Sequence, residues 1–415
     1  MAKTLVIKEE DKTRIPFLRG ILTRSLQEAG MPFGDAYNLA SDIRDDLSDI
    51  DEITVEDLRE RVVSQLTNLH DNKVLERYKA LAEAQPVIYV ESPEGLSAPY
   101  SNEQFRRELE IIGLNADESA AAVEKMYQHL IDRGDPSITT DRLGYMTYRC
   151  LHLDPNYGPE IANRYLVWVN FCRSGRPLIL LLGGTAGCGK STIATALANR
   201  LDIVRTQSTD MLREVMRMMI PERLLPVLHT SSFAAWKTLP VKPCSKEDEI
   251  TNQLIAGYRT QADLLSVPCE AVIQRGLKEK VSLLLEGVHV QPSLVNSISK
   301  EEDAVVVHVM LGVLKQKELK KRIKGRGTEV PQRRSERYLA NFEDIWRLQA
   351  YLLDEADRNQ VPIVVNSNKE NALREVMKIV VDRLEDEFTS TPAAVFGREY
   401  KPEKPPPEQS EPDQA

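Results

Sequence analysis

The sequence predicts an α/β fold in which a parallel sheet occupies the second half of the chain and a mostly helical, duplicated region precedes it. Three observations lead to this prediction. Before residue 176, similar groups of residues recur at a nearly constant spacing. A glycine-rich segment at residues 184–191 separates an apolar strand from a helix. Short apolar segments then alternate with helical patterns, as in parallel sheets covered by helices. The candidate strands are residues 178–182, 204–208, 282–285, 305–309 and 362–365.

Composition and charge narrow the class of protein. The 415 residues leave room for two or three domains, and 42% hydrophobic with 28% charged residues is typical of a globular protein. The net charge of −9 disfavours non-specific nucleic-acid binding, so no nucleic-acid partner is expected. Five cysteines without a Cys-x-x-Cys pair argue against a zinc site or a disulfide framework and predict a reducing cytoplasm. No signal-peptide core or membrane-length apolar run is found, so no membrane partner is expected.

The first half of the chain contains an internal repeat. Gly30 matches Gly113 at an offset of 83 residues, and Ile53 matches Ile138 at an offset of 85 residues. Each copy opens with a short β-type segment and continues with apolar residues at the three- and four-residue spacing of amphipathic helices. The repeat therefore predicts two small, mostly helical modules at residues 1–84 and 85–175.

Both modules resemble ATP-cone domains, which are small nucleotide-binding regulatory modules. The first copy keeps more of that pattern, with Val6, Lys8 and Pro16 before a helix, and Lys8 is where such a module can meet a phosphate. The second copy has Tyr89, Val90 and Glu91 at the corresponding place, without a basic residue. The resemblance therefore implies a regulatory nucleotide at the first copy. The alternative is a helical packing domain that binds nothing, which is favoured for the second copy because helical spacing requires only burial.

The glycine-rich segment matches the Gly-x-x-x-x-Gly-Lys-Ser/Thr phosphate loop at every fixed position, in the strand–loop–helix context of that motif. Its glycines allow backbone N–H groups to face phosphate oxygens, and the following helix adds its positive end. Lys190 can neutralise the β- and γ-phosphates, and the Ser191 hydroxyl can bind Mg²⁺. A turn without a ligand is the alternative, which the agreement of motif and context disfavours. The predicted ATP-binding residues in this segment are Gly184, Thr185, Ala186, Gly187, Cys188, Gly189, Lys190, Ser191 and Thr192.

Acidic residues follow the second and third candidate strands. Asp210 opens the helix after the second strand, where it can accept the proton of a substrate hydroxyl or orient Mg²⁺, and a role as helix N-cap is the equal alternative. Arg213, one turn later, can bind an anionic substrate or be an ordinary exposed charge. Glu286 ends the third strand, which should lie beside the phosphate loop. A magnesium role for Glu286 is therefore preferred to that of a charge that merely reaches solvent.

Residues 320–337 form a basic run in an acidic chain, with Lys or Arg at eight of eighteen positions. Gly325, Gly327 and Pro331 predict a hinged segment. Its place after a strand favours the lid of a small-molecule kinase, which closes arginines over phosphates and excludes water. A solvated basic face is the alternative. The candidates from this run are Arg322 for ATP binding, Arg326 for the transfer step and Arg334 for substrate binding.

Two further segments complete the chain. The long insertion at about residues 220–275 is where a substrate domain would lie, and it offers His229 and Gln261 as candidate substrate contacts. From about residue 389 the chain lacks apolar spacing and contains a run of prolines and charged residues. Residues 389–415 are therefore predicted to be a disordered tail.

The order of these motifs resembles the 2-phosphoglycerate kinase family. The phosphate loop, Ser-Thr-Asp at 208–210, Glu-Gly-Val-His at 286–289 and Gly-Arg-Gly at 325–327 follow an ATP-cone-like region. The resemblance implies a P-loop NTPase kinase core with a parallel sheet and a lid over residues 176–388. It also implies Mg²⁺-dependent transfer of the γ-phosphate of ATP to the 3-hydroxyl of 2-phosphoglycerate, giving 2,3-bisphosphoglycerate and ADP.

Two other functions stay open at this point. Relatives with this core also act on other phosphorylated polyols, so the acceptor can be a different small phosphorylated molecule. A non-catalytic, ATP-gated regulatory switch would bind ATP with slow turnover that does not respond to an acceptor. A kinase is favoured because a separate basic lid is superfluous for a plain switch, and because two anionic substrates need several cations.

Overall fold

The structure is a computed structural model that describes residues 4–7, 14–47, 50–69, 72–82, 88–133, 136–240, 246–296, 303–329 and 335–397. These residues belong to two compact units. The first contains the chain to residue 91 with residues 95–100 and 129–138, and the second contains residues 92–94, 101–128 and the chain from residue 139. This grouping differs from the predicted division after residues 84 and 175, because most helical residues of the second repeat copy belong to the unit with the five-stranded sheet.

The two repeat copies share one order of elements. The first copy consists of β1 (Leu5–Ile7), β2 (Arg14–Pro16), α1 (Arg19–Glu28), α2 (Phe33–Asp46), β3 (Glu52–Thr54), α3 (Val55–Asn68) and α4 (Asn72–Ala82). The second copy consists of β4 (Tyr89–Glu91), β5 (Ser97–Pro99), α5 (Asn102–Ile111), α6 (Ala116–Arg133), β6 (Ser137–Thr139), α7 (Thr140–Leu153) and α8 (Gly158–Ser174). Their strands form two small sheets, in the orders β2-β1-β3 and β5-β4-β6.

The matching positions of the repeat have a structural reason. Thr54 and Thr139 each end a strand and cap the helix that follows. The Thr54 hydroxyl accepts from the N–H of Asp57 at 3.1 Å, and the Thr139 hydroxyl accepts from the N–H of Arg142 at 3.3 Å. The sequence pattern predicted only the first strand of each copy, because the others are three residues long and carry little periodicity. Lys8 lies outside the described residues.

The second half of the chain supplies the larger sheet and its helices. Its strands are β7 (Leu178–Gly183), β8 (Arg205–Ser208), β9 (Leu283–Gly287), β10 (Val305–Gly312) and β11 (Ile363–Val365). Its α-helices are α9 (Lys190–Arg200), α10 (Thr209–Met219), α11 (Glu247–Lys278), α12 (Ser293–Asn296), α13 (Gln316–Glu329), α14 (Ser335–Ala340), α15 (Phe342–Arg358), α16 (Lys369–Phe388) and α17 (Pro392–Phe396). Two 3₁₀ helices lie between α10 and α11, at Pro226–His229 and Ser232–Thr238.

The five strands form one parallel sheet in the order β11-β10-β7-β9-β8. Each coincides with a candidate strand of the sequence, and β10 extends beyond its predicted end to Gly312. The segment at 204–208 was predicted to be buried, which is wrong for β8, because this strand lies at the edge of the sheet and has no fully buried residue. The central strand β7 is buried along its whole length, as its unbroken apolar sequence requires. β9 pairs with β7, as predicted for the strand that carries Glu286. Because the carboxyl ends of parallel strands meet at one edge, the glycine-rich loop, the start of α10 and Glu286 are brought together there.

The basic run is more regular than predicted. α13 continues through Gly325 and Gly327, which were predicted to interrupt it. Leu319 and Ile323, one helical turn apart, are fully buried and pack against Gly187 of the glycine-rich loop. This tertiary contact stabilises the helix by more than the glycines destabilise it, since a helical glycine costs only about 1 kcal/mol.

The segment from residue 389 begins with ordered chain, so the predicted disordered tail is wrong for residues 389–397. α17 packs on α7 and α8 through Phe396, which is 2% exposed. The Phe396 ring lies edge-on to Tyr145 at 6.3 Å, and the Arg173 guanidinium lies 5.3 Å from the Phe396 ring centroid. A single aromatic anchor leaves no periodic pattern in the sequence. Residues 398–415 lie outside the described part of the chain.

The hydropathy of the helices and the state of the cysteines were both subjects of sequence-based expectations. Among the residues that the structure describes, no helix combines the length and the hydropathy that crossing a membrane requires. Four cysteines fall within the described ranges, and all four carry free thiols, namely Cys150, Cys172, Cys188 and Cys269.

His308 on β10 should make the protein sensitive to acid. It is 8% exposed, and neither ring nitrogen has a hydrogen-bond partner among the described residues. Burial lowers the pKa of His308 to about 4. The unfolded chain, whose histidine pKa is about 6.5, therefore binds a proton first as the pH falls. The free energy of unfolding should decrease below about pH 6.5 and lose about 3 kcal/mol through this residue by about pH 4.

We expect His308→Leu to be more stable than the wild type at pH 7 by about 1–3 kcal/mol, because it removes a buried polar group without a partner. The difference should widen as the pH falls from 7 to 4. Urea unfolding at a series of pH values measures both effects, and His152→Leu, at an exposed histidine, is the control. A stability difference that stays constant with pH would contradict the prediction.

Candidate active site

The carbonyl oxygen of Thr185 accepts two hydrogen bonds that stabilise the conformation of the glycine-rich loop, residues 184–189. The Nζ of Lys190 donates to the carbonyl oxygen of Thr185 at 2.8 Å, and the Sγ of Cys188 donates to the same oxygen at 3.0 Å. Lys190 is only 8% exposed, so its ammonium folds back onto the loop. The backbone N–H groups of Ala186 and Gly187 have no backbone partner among the described residues. These donors are available to an anion, as the phosphate-loop motif predicts.

Gly189 closes this loop in a conformation that only glycine adopts easily. Its φ is +90°, and a Cβ atom would lie 2.5 Å from the Nδ2 of Asn366. That amide donates to the carbonyl of Cys188 at 2.8 Å, and Asn366 is 4% exposed. Sequence reasoning missed Asn366, although a polar residue directly after the apolar strand β11 was a usable signal. Arg322 lies beside the same glycine and donates to the carbonyl of Ser367 at 3.1 Å, so it is next to the loop.

Ser191 and Glu286 meet at the carboxyl edge of the sheet. The Oγ of Ser191 donates to the Oε1 of Glu286 at 2.8 Å. The pairing of β7 with β9 produces this contact, because it aligns Leu182 with Glu286 immediately before the loop. The Glu286 side chain therefore does not simply reach solvent. A hydroxyl and a carboxylate oxygen at this spacing are ligands of the kind that Mg²⁺ prefers.

The N-cap of α10 is Ser208, which resolves the alternative left open for Asp210. The Oγ of Ser208 accepts from the N–H of Met211 at 3.2 Å. Asp210 is the second residue of α10, and its side chain is 70% exposed. Its carboxylate lies 3.5 Å from a guanidinium nitrogen of Arg213. Asp210 is thus not needed for capping, and its carboxylate can reach a ligand.

Two arginines of α10 have N–H groups without partners. The Nε atoms of Arg213 and Arg217 are buried and make no hydrogen bond among the described residues. Arg213 also donates to the carbonyl of Thr230, and Arg217 pairs with Glu214 at 2.8 Å. Because these Nε atoms are closed to solvent, an anion would be bound by the terminal guanidinium nitrogens of the two side chains.

His289 lies at the same edge of the sheet as the candidate site and has a strongly lowered pKa. Burial lowers the pKa of this histidine to about 3. Asp210 raises it, whereas Arg213 and Lys190 lower it further. The strand register accounts for this, because β8 pairs Ser208 with Glu286, and Glu286 bonds to Ser191 at the start of α9. The starts of α9 and α10 therefore lie at the same edge of the sheet.

Other candidates have different surroundings from those expected. The Nε2 of His229 bonds to the carbonyl of Ile220 at 2.9 Å, which accounts for this histidine without a substrate. Gln261 is fully buried, so it does not face a substrate. Thr192 is exposed on the first turn of α9. The backbone of Arg326 belongs to α13, but its side chain and all of Arg334 lie outside the described residues.

Comparison with known proteins identifies the family. No family model matches the chain. A 2-phosphoglycerate kinase from Pyrococcus horikoshii is 32% identical over 294 residues, which are 71% of this chain and 93% of that protein. A second, from Thermococcus kodakarensis, is 32% identical over 72% of this chain and 99% of its own length. The chain belongs to the 2-phosphoglycerate kinase family.

Membership of the 2-phosphoglycerate kinase family confirms the resemblance seen in the motifs. A third relative of that name, from Methanocaldococcus jannaschii, is 32% identical over 69% of this chain and 89% of its own length. These 2-phosphoglycerate kinases are matched over nearly their whole length, whereas about 120 residues of this chain lie outside the 294-residue match. The unmatched part of the chain is therefore longer than either of the two modules predicted from the repeat.

Proposed function

We propose that this protein is an ATP-dependent kinase that phosphorylates the 3-hydroxyl of 2-phosphoglycerate, giving 2,3-bisphosphoglycerate and ADP. The observation that carries the proposal is the register of the sheet, which pairs Ser208, just before Asp210, with Glu286, while Glu286 bonds to Ser191 of the phosphate-loop motif. Family membership supports a phosphotransferase, and the names of the relatives support 2-phosphoglycerate as the acceptor.

The glycine-rich loop is the proposed site of the ATP phosphates, which makes this a P-loop kinase core. Its unpaired N–H groups and the positive end of α9 face the same region. The ammonium of Lys190 would exchange the carbonyl of Thr185 for oxygens of the β- and γ-phosphates, since a charged partner binds it more strongly than a neutral carbonyl. Arg322, beside Gly189, is placed to contact the nucleotide from α13.

Mg²⁺ fits the oxygen pair of Ser191 and Glu286. No group of three or more His, Cys, Asp or Glu side chains within the described residues could hold a metal alone. Mg²⁺ commonly takes one or two protein ligands and completes its shell with water and phosphate oxygens, so the pair is sufficient. When bound, the ion would neutralise the charge that develops on the β- and γ-phosphates.

The transfer step uses the acid and the arginines of α10. Asp210 accepts the proton of the 3-hydroxyl, whose oxygen bonds to the γ-phosphorus while the bond to the β–γ bridging oxygen breaks and ADP leaves. Arg213, whose terminal guanidinium nitrogen lies 3.5 Å from the Asp210 carboxylate, holds an anionic group of the acceptor. Arg326 and Arg334 stay proposed as lid residues that act on the transferred phosphate and the acceptor.

The first N-terminal module is proposed to bind a regulatory nucleotide. Its resemblance to ATP cones and the position of Lys8 directly after β1 support this. The shared order of elements in the two copies supports a common origin, whereas the absence of a basic residue at Tyr89, Val90 and Glu91 disfavours the second copy as a binding site.

The test of the proposed function is ADP release from Mg²⁺-ATP with and without 2-phosphoglycerate, alongside a panel of phosphorylated acids and polyol phosphates. We expect a strong increase with 2-phosphoglycerate, together with stoichiometric 2,3-bisphosphoglycerate. An increase only with another acceptor would contradict the substrate assignment and keep the kinase. Tight ATP binding without an increase for any acceptor would contradict the kinase and favour the switch.

A further inference from the structure

Three buried side chains join the two strand-end motifs to the long insertion. Thr209 Oγ1 lies 3.1 Å from Nδ1 of His289, and Nε2 of His289 lies 2.9 Å from Oε1 of Gln261. The Nε2 of Gln261 donates to the carbonyls of Val227 and Thr230. Thr209 and Gln261 are fully buried, and His289 is 3% exposed. We call Thr209, His289 and Gln261 the buried triad.

The partners of Gln261 determine which group donates and which accepts in each hydrogen bond of the buried triad. Two backbone carbonyls accept from the amide of Gln261, so its NH₂ group must face them and its Oε1 must face His289. The Nε2 of His289 therefore carries the proton, and its Nδ1 accepts from the hydroxyl of Thr209. Because burial holds the pKa of His289 near 3, the ring stays neutral and keeps this arrangement over the ordinary working pH range.

The residue types of both motifs follow from the buried triad. A Cβ atom at Gly287 would lie 1.8 Å from Oγ1 of Thr209, so only glycine leaves room for the Thr209 hydroxyl beside the end of β9. The ring of Tyr258 lies parallel to that of His289 at 6.3 Å, and its hydroxyl donates to the carbonyl of Val288 at 2.8 Å. The Glu-Gly-Val-His motif thus supplies one metal candidate at Glu286 and one buried anchor at His289.

Each end of the buried triad adjoins a residue of the candidate site. Thr209 is the first residue of α10, directly before Asp210. At the other end, the carbonyl of Thr230 accepts from both Gln261 and Arg213. The triad therefore ties the start of α10 and the Arg213 guanidinium to a fixed set of backbone and side-chain atoms.

We propose that the buried triad orients α10, and with it Asp210 and Arg213, for phosphoryl transfer to the acceptor. Thr209, His289 and Gln261 are positioning residues, since they are buried and do not touch the substrate. The inference rests on the proposed function in one respect, namely that Asp210 and Arg213 serve the acceptor. A buried network whose donors and acceptors are all matched specifies a single geometry, whereas two helices packed through apolar contacts alone tolerate small shifts.

The test compares Thr209→Val, which keeps the shape and removes the hydroxyl, with Thr209→Ser, which keeps the hydroxyl. Small displacements of reacting groups cost up to about a hundredfold, so we expect Thr209→Val to lower kcat/KM for the acceptor about tenfold to a hundredfold. The Kd for ATP, measured by calorimetry, should not change, and Thr209→Ser should restore the acceptor kinetics. Thr260→Val, at an exposed hydroxyl that bonds only to its own helix on α11, is the matched control.

A thermal unfolding scan of each variant separates positioning from stability. A lower Tm for Thr209→Val with unchanged acceptor kinetics would overturn the proposal and leave a purely structural triad. If Thr209→Val does not fold, Gln261→Glu tests the other end, because a carboxylate of the same shape cannot donate to the two carbonyls. Failure of the proposed function is distinct: the wild type would then not phosphorylate 2-phosphoglycerate, and the same variants would be compared with the acceptor that does raise ADP release.

Discussion

Replacing Lys190 by alanine should reduce kcat for phosphoryl transfer by about a thousandfold or more. Lys190 carries the one ammonium that the structure holds against the glycine-rich loop among the described residues, directly before Ser191, which bonds to Glu286. Removing a cation aimed at the transferred phosphate typically costs factors of this size, because the developing charge loses its stabilising partner. The measurement is ADP release with Mg²⁺-ATP and 2-phosphoglycerate.

Two further variants make the Lys190 result specific. Lys190→Met keeps much of the side-chain volume in this buried position and removes the charge, so it should lose as much activity as the alanine variant. Lys378→Ala removes an exposed lysine of α16 that pairs with Asp382, and it should behave as the wild type. Near-normal turnover in Lys190→Met would contradict the placement of the γ-phosphate at this loop.

Asp210→Asn should lower kcat by about a hundredfold to ten-thousandfold while changing the Kd for ATP little. The amide cannot accept the proton of the attacking hydroxyl, and general-base catalysis by a carboxylate is worth factors of this order. Because Ser208 caps α10, the substitution leaves the helix terminus intact. Steady-state kinetics with the acceptor and calorimetry with ATP separate the two effects.

A control for Asp210→Asn is available in the loop between α9 and β8. Asp202 is exposed at φ +51°, a conformation that asparagine also adopts readily, so Asp202→Asn should keep wild-type kinetics and stability. An equal loss of ATP affinity and of kcat in Asp210→Asn would move this residue from catalysis to metal binding or structure. Full activity would remove it from the site altogether.

The local pattern of the sequence was sufficient for the positions of the strands and of the glycine-rich loop, and the site residues drawn from it stay predictions. Apolar runs of strand length predicted four of the five strands of the parallel sheet, whereas β8 consists of polar residues and was predicted as buried. The expected pairing of the strands that carry the loop and Glu286 is confirmed. Placing Asp210 and Glu286 at one edge needed only the rule that the ends of parallel strands meet. The resemblance of the motifs to 2-phosphoglycerate kinases is confirmed by relatives matched over most of their length.

The same local pattern did not predict the three-residue strands, the continuity of α13 or the ordered segment around Phe396. The three-residue strands β2, β3, β5 and β6 are too short to show a period of two. Gly325 and Gly327 suggested an interruption, yet the burial of Leu319 and Ile323 keeps α13 continuous. Phe396 is the one fully buried side chain of α17, so the residues around it looked like the rest of a polar tail.

The sequence by itself determined which residue types are present and which lie at strand ends, because these depend on neighbours a few positions away. The tertiary structure alone decided their partners. Asn366 donates to the carbonyl of Cys188, which is 178 residues away in the sequence, and the Thr209 hydroxyl bonds to His289, which is 80 residues away. Gln261, which looked like a substrate contact, is a buried link between helix and loop. Such hydrogen bonds depend on how helices pack against the sheet, and no local period in the chain encodes that packing.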